Sequence, residues 1–310
     1  MNDSLLVVLL VSGVTFGTPL ALAAIGETIA ERAGVLNIGL EGTMLLGAVT
    51  GFWATSATGI SLLGFLTAIG VGALVGLVFA VAAVRLGVNQ IVLGLALFLT
   101  GLGVSTYLGD AAGLTGTRSP DPLRPLLTGG ITDWPVVGPV VFHQDLLVYL
   151  SVVLAGVASF YLYRTRPGLA LRAVGDDPWA ADTYGIRVER MRIVHVIIGS
   201  AMAGLAGSYV SLALIPAWTP GLTAGSGWIA LALVILGSWR PWRVLFAAYV
   251  FGAATRLAFT LQVRGVGVPA ELLDMLPYLL AFAALVAVSI GDRSRGGSPK
   301  SLGQPYTRGS

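Results

Sequence analysis

The feature that most constrains this chain is its series of apolar runs, several of which reach the roughly 20 residues a helix needs to cross a bilayer. Leu62–Val84 and Ile193–Leu214 are two of them. Hydrocarbon offers no water to free backbone groups, so runs of this kind fold as helices. Only 11% of the 310 residues are charged and mean hydropathy is +0.86, against about 25% charge in a soluble domain. The fold class is therefore all-α, a polytopic integral membrane protein embedded in lipid. Read in order, the runs predict about nine transmembrane helices. They are 5–25, a stretch ending at Ala54, then 62–84, 91–108, 146–163, 193–214, 228–236, 244–261 and 272–290. The first span has no basic flank and is expected to stay uncleaved. Residues 1–290 form the membrane domain, and the polar stretch 291–310 is expected to be a disordered cytoplasmic tail.

Lysine and arginine in short loops set orientation. Placing the loop 164–192 in the cytoplasm gathers Arg32, Arg85, that loop's six arginines, Arg240, Arg243 and four tail residues inside, 14 of the 18 basic residues. The expected topology puts the N-terminus outside and the C-terminus in the cytoplasm of a plasma-membrane protein. The pI of about 9.4 then reflects topology and not a nucleic-acid partner.

Within that loop, Asp177 suits an N-cap, Pro178 the first helical position and Gly185 the left-handed residue beyond the end. A helix of about two turns is predicted between them, with Ala180 and Ala181 leaving room for another surface. It reads either as a solvated connector or as a docking helix for a cytoplasmic partner. Packing is legible too: Gly199, Ala203 and Gly207 form one row of small residues, Ser200, Gly204 and Ser208 its neighbour, and Gly72 and Gly76 a third. Such rows let helix backbones meet in lipid.

Catalysis finds little support. The one lysine, Lys300, follows no Gly-x4-Gly-Lys, so the chain has no phosphate-binding loop. Energy from ATP would have to come from elsewhere. Two histidines, His143 and His195, lie too far apart for a two-histidine helical metal motif, and cysteine is absent. No metal site and no catalytic residue is assigned. Gly225-Ser226-Gly227 raises an intramembrane serine nucleophile, but no base is evident for it.

The informative polar groups sit among apolar residues. Asn37 and Glu41 are four apart and share a helical face turned from lipid. Asn89 and Gln90 open the fourth span, as ligand-binding amides or as a helix cap. Asn37, Glu41, Asn89 and Gln90 are the candidate substrate pathway. Glu27, Glu31 and Arg32 are the candidate structural cluster, with Arg32 expected to neutralise Glu31 and hold a broken helix. Arg256, costly in lipid, is expected in a structural ion pair. Trp218, Trp228, Trp239 and Trp242 fit an interfacial belt.

Three stretches, Glu31–Ala48, Pro167–Ile193 and Gly225–Trp242, resemble the integral-membrane permease subunits of ATP-binding-cassette importers, in the group shared by ribose, branched-chain amino acid and nucleoside systems. ERAGVLNIGLEGTMLLGA looks like the nucleoside branch. Ala180, Ala181 and Gly185 match the Ala-Ala-x-x-x-Gly part of the importer coupling motif, with Trp179 where a Glu is usual. The resemblance implies that Asp176, Asp177, Pro178, Ala180, Ala181 and Gly185 engage the ATPase. It also implies a cytoplasmic ATPase carrying ATP and Mg, a second homologous permease in a heterodimer, and an extracytoplasmic substrate-binding lipoprotein. The implied function is import of a nucleoside, most simply a purine nucleoside, by alternating access. A ribose-like sugar or branched-chain amino acid permease is the alternative, and an ion-coupled secondary transporter the alternative from another class.

Overall fold

The structure, a computed structural model, describes residues 5–127, 129–264, 267–269, 272–273, 275–291 and 297–306. The described chain is all-helical, with two isolated bridge pairs between loops (Thr115 with Trp218, Arg118 with Ala217). The long helices in chain order are α1 (Leu5–Arg32), α2 (Leu40–Thr58), α3 (Ser61–Ala80), α4 (Gln90–Ala111) and α5 (Leu146–Arg164). Two short helices follow, α6 (Arg166–Asp176) and α7 (Pro178–Thr183), then α8 (Val188–Tyr209), α9 (Ser226–Leu236), α10 (Pro241–Val263) and α11 (Leu276–Gly291). A π-helical turn extends α3 over Val81–Arg85 and another extends α8 over Val210–Leu214.

Six helices among the described residues are long and apolar enough to cross a membrane: α1, α3 with its extension, α4, α5, α8 with its extension, and α10. The other three expected spans are of a different kind. α2 has 19 residues but is threaded with Gly, Thr and Ser and buried along most of its length. α9 has 11 residues and α11 has 16, short of the roughly 20 a full crossing requires. α1 also runs further than expected, through Glu27 and Glu31 to Arg32, with Pro19 inside it. The chain breaks over 33–39, where Gly34 takes φ +84°.

α8 is the hub, with 67% of its apolar window buried, and α4 the periphery, with 17%. The small-residue rows explain α8's position. A Cβ on Gly26 of α1 would lie 2.7 Å from the Gly199 carbonyl oxygen, and one on Gly199 lies 2.7 Å from that of Gly26. A side chain on Gly207 would strike the Met44 carbonyl of α2, and one on Gly204 that of Ala68 on α3. Three helices thus reach α8 at backbone distance, the geometry that maximises dispersion contact where no hydrophobic effect operates.

Two faces result. The ends of α1 and α5, α6, α7, the start of α8 and the 237–240 turn lie on one. The loops after α4 and α8 meet on the other, where Gly116 N donates to Trp218 O (3.1 Å) and Ser119 N to Pro216 O (3.0 Å). The tail departs from expectation: residues 297–306 fold onto the first face, with Ser301 and Tyr306 buried, so the described part is not a free chain.

Candidate functional site

The predicted helix of the 164–192 loop forms, as α7. Asp177 Oδ1 accepts from Ala180 N (2.9 Å), Pro178 opens the helix, and Gly185 has φ +82°. Ile186 N then bonds back to Ala181 O (3.1 Å), closing the left-handed exit. Its two alanines face opposite ways. Ala180 is exposed, beside Trp179, Tyr184, Asp176, Asp177 and Gly185. Ala181 is 3% exposed and packs inward on Val174, Val188 and Tyr306. A further helix, α6, precedes it within the loop, started by Thr165, which accepts from Gly168 N (3.1 Å), and Pro167, an N-cap and first-turn pair that the sequence carries.

Glu41, at the start of α2, is 4% exposed. Its Oε1 accepts from Thr223 Oγ1 (2.6 Å) and Gly225 N (2.9 Å), and its Oε2 from Gly227 N (2.5 Å). The carboxylate therefore caps α9, where free N–H groups and the helix dipole favour negative charge. Gly227 is so near that a Cβ there would meet Glu41 Cα at 2.5 Å. The sequence signal for this partner is Gly225-Ser226-Gly227, whose bare backbone admits a carboxylate. Ser226 Oγ itself donates to Thr223 O (2.5 Å), a helix-start bond with no base in it.

Asn37 and Gln90 hold the 33–39 bend. Asn37 N donates to Glu27 Oε1 (2.9 Å), Asn37 Nδ2 to Ser200 Oγ (3.3 Å), and Gly39 N to Asn37 Oδ1 (3.0 Å). Leu36 N donates to Gln90 Oε1 (2.8 Å). Asn89 is exposed and its Oδ1 caps α4 through Ile91 N (3.0 Å) and Val92 N (3.2 Å). The four residues are not brought to one wall: three are buried in separate bonds and the fourth lies at a helix start. Among the described residues Glu27 Oε2 is buried without a partner.

Glu31 and Arg32 meet on one residue and not on each other. Trp239 Nε1 donates to Glu31 Oε2 (2.5 Å), while Arg32 Nε donates to Trp239 O (3.2 Å) and its Nη2 to Tyr163 Oη (3.2 Å). No Glu31–Arg32 ion pair is seen among the described residues. Ser238 (φ +52°) and Trp239 (φ +54°) occupy the left-handed region in succession, a conformation that costs non-glycine residues energy and persists where neighbours enforce it. Trp239 and Trp218 are thus core residues, 8% and 0% exposed, while Trp228 and Trp242 are at 38% and 49%. The belt reading fits only the second pair.

A cavity of about 550 Å³ lies directly beyond the Glu41-held loop. Thr223, Ala224 and Ser226 form one wall, Phe16 and Pro19 of α1 another, and Phe251, Arg256 and Phe259 of α10 a third, with the half-exposed Tyr278 of α11 at its edge. Among the described residues Arg256 Nε is buried without a partner, and the guanidinium lies 5.4 Å from the Phe259 ring centroid. The structural ion pair expected for Arg256 is not found among the described residues. A charge in this setting must face water or a polar ligand. No group of three or more His, Asp or Glu that could hold a metal occurs among the described residues.

This helical scaffold, with buried polar breaks and a capped helix between apolar helices long enough to span a membrane, is that of a polytopic membrane protein. Residues 9–285 match the model of the branched-chain amino acid transport system permease component, and the chain belongs to that family. Its relatives are ABC transporter permease subunits, which are not themselves enzymes. TsgC13 of Haloferax volcanii, named as a candidate glucose ABC transporter permease, is 38% identical over 97% of both chains. The guanosine ABC transporter permease NupQ of Bacillus subtilis is 35% identical over 95% of this chain and 94% of its own. The nucleoside ABC transporter permease NupC of Lactococcus lactis is 33% identical over 94% of each. No solved structure matches the chain.

Proposed function

We propose that the chain is one half of the translocation pathway of a nucleoside importer in the plasma membrane, with its N-terminus outside and α7 in the cytoplasm. Its partners in this reading are an ATPase carrying ATP and Mg, a second permease, and an extracytoplasmic substrate-binding lipoprotein. The observation that carries the substrate class is the cavity, which is lined by four aromatic side chains suited to a flat base and by Arg256 as a donor to a sugar or a base edge. NupQ and NupC support the same class. Glu41 serves this path from behind, by fixing the wall at 223–227. Asn37 and Gln90 fix the bend, and Asn89 is the member of the four left open to solvent.

α7 supplies the coupling. Its exposed face (Trp179, Ala180, Tyr184) docks the ATPase, and its buried face rests on α6 and α8, so movement of the ATPase reaches the spans through packed backbone. Because Ala181 points inward, Ala180→Arg with Tyr184→Arg is the variant that tests docking. Capture of the cognate ATPase by the reconstituted permease pair should be lost, and undiminished capture refutes the assignment. For substrate, proteoliposomes of the whole complex with its binding protein should take up labelled guanosine in preference to glucose. TsgC13 favours the second reading, a sugar permease, which uptake of glucose alone would establish.

A further inference from the structure

The segment after α11 does more than end the chain. Ser301 N and Oγ both donate to Gly175 O at the end of α6 (2.9 and 2.7 Å). Gly303 N donates to Gly34 O in the 33–39 bend (3.2 Å). Tyr306 is 6% exposed, packs on Val174, Ala181 and Val188, and meets Trp179 of α7 edge-on at 5.7 Å. One guanidinium joins these pieces. Arg192, 1% exposed at the start of α8, donates through Nε to Ala33 O, through Nη1 to Gln304 O and through Nη2 to Ser301 Oγ, each at 3.1 Å. A planar fork with five donors is suited to hold three acceptors at once, here one from the 33–39 bend and two from the 297–306 segment. The fit is close: a Cβ on Gly34 would lie 2.7 Å from Ser301 Oγ and 2.9 Å from Arg192 Nη2.

We propose that residues 297–306 are a strap that makes α6–α7 and the 33–39 bend move as one body, with Arg192 as its node. The bend carries Asn37, whose amide holds Glu27, and leads directly into Glu41 and the cavity wall. The strap therefore adds a bonded route from the underside of α7 to the bend, beside the Arg192–Ala33 bond and the close approach of Gly175 to the Arg32 carbonyl. The proposal rests on α7 being the ATPase-docking helix. Without the strap, α7 still presents Trp179, Ala180 and Tyr184 and still docks, but only the Arg192–Ala33 bond and the Gly175–Arg32 contact pass its displacement to the bend, and less of it arrives. ATP is then hydrolysed with little substrate moved.

The test uses the complete complex in proteoliposomes, with permease pair, ATPase and binding protein, and reads labelled guanosine moved per ATP hydrolysed. A chain ending at residue 297 and the variant Tyr306→Ala should each lower that ratio at least about fivefold, the low end of ordinary inter-site coupling, while ATPase capture stays intact. Tyr306→Phe, which keeps the ring on Val174, Ala181 and Val188, should lower it less than Tyr306→Ala. An unchanged ratio in both overturns the proposal. So does failure of Tyr306→Ala to assemble, which would make the segment a folding element only. Loss of capture in Ala180→Arg/Tyr184→Arg, measured beside them, tests the docking reading separately.

Discussion

Replacing Glu41 by alanine gives the sharpest test of how the two halves of the chain are joined. The carboxylate takes three hydrogen bonds from Thr223, Gly225 and Gly227, and alanine leaves all three donors in a pocket where Thr223 is 1% exposed. Each buried donor left unpaired costs about 1–3 kcal/mol, so the 223–227 loop should be destabilised by at least about 3 kcal/mol. At about 1.4 kcal/mol per factor of ten, protection of the Gly225 and Gly227 amides against hydrogen exchange should fall roughly 100-fold. Glu41→Gln keeps one acceptor oxygen and turns an NH2 toward a donor, so it should lose about tenfold or more. The measurement is exchange mass spectrometry on peptides spanning 218–230 in the detergent-purified permease, with peptides of α3 as internal reference. Unchanged protection in the alanine variant would show that Glu41 does not hold this loop. Should the alanine variant fail to purify, Thr223→Val removes a single donor and should still cost about tenfold.

Three further outcomes follow from the same geometry. Arg256→Leu removes the only charged side chain among the described residues that line the cavity and should raise KM for uptake of the transported substrate about tenfold, the worth of a hydrogen bond to a charged group; an unchanged KM removes Arg256 from the substrate path. Gly207→Leu drives a side chain into the Met44 carbonyl and, at a cost of about 3 kcal/mol or more, should abolish the monodisperse peak in size-exclusion chromatography, whereas Gly70→Leu, which meets nothing, should not. Trp239→Phe takes the indole donor from Glu31 and should lower stability by about 1–3 kcal/mol, read as a drop in the thermal midpoint of the purified protein; an unaltered midpoint would mean that Glu31 finds another partner.

Much of this molecule is legible without coordinates, for identifiable reasons. Spans are set by local apolar length, and α7 by three residues whose backbone preferences are strong, Asp177, Pro178 and Gly185. Packing by small residues is legible because α8 writes it with helical period. What escapes is long-range pairing. That Glu41 belongs to Gly225 and Gly227, separated from it by 184 and 186 residues, depends on tertiary placement and leaves no periodic trace. Arg192 reads as one more loop arginine, since charge alone does not show that its partners are two carbonyls and a hydroxyl. The tail misleads by composition: Gly, Ser and Pro at 297–304 look like a solvated chain, yet they bond through backbone groups and need little apolar surface to stay in place.

The distance in sequence between Glu41 and its partners also has a consequence for how the protein is made. Thr223 lies 182 residues downstream of Glu41, and Trp239 lies 208 downstream of Glu31. At ribosomal speeds of about 5–20 residues per second, these acidic groups wait roughly 10–40 s before the segments that satisfy them are synthesised. Through that interval the first helices are poor candidates for release into lipid. They need to be retained by the insertion machinery until α8, α9 and the 237–240 turn arrive to receive them.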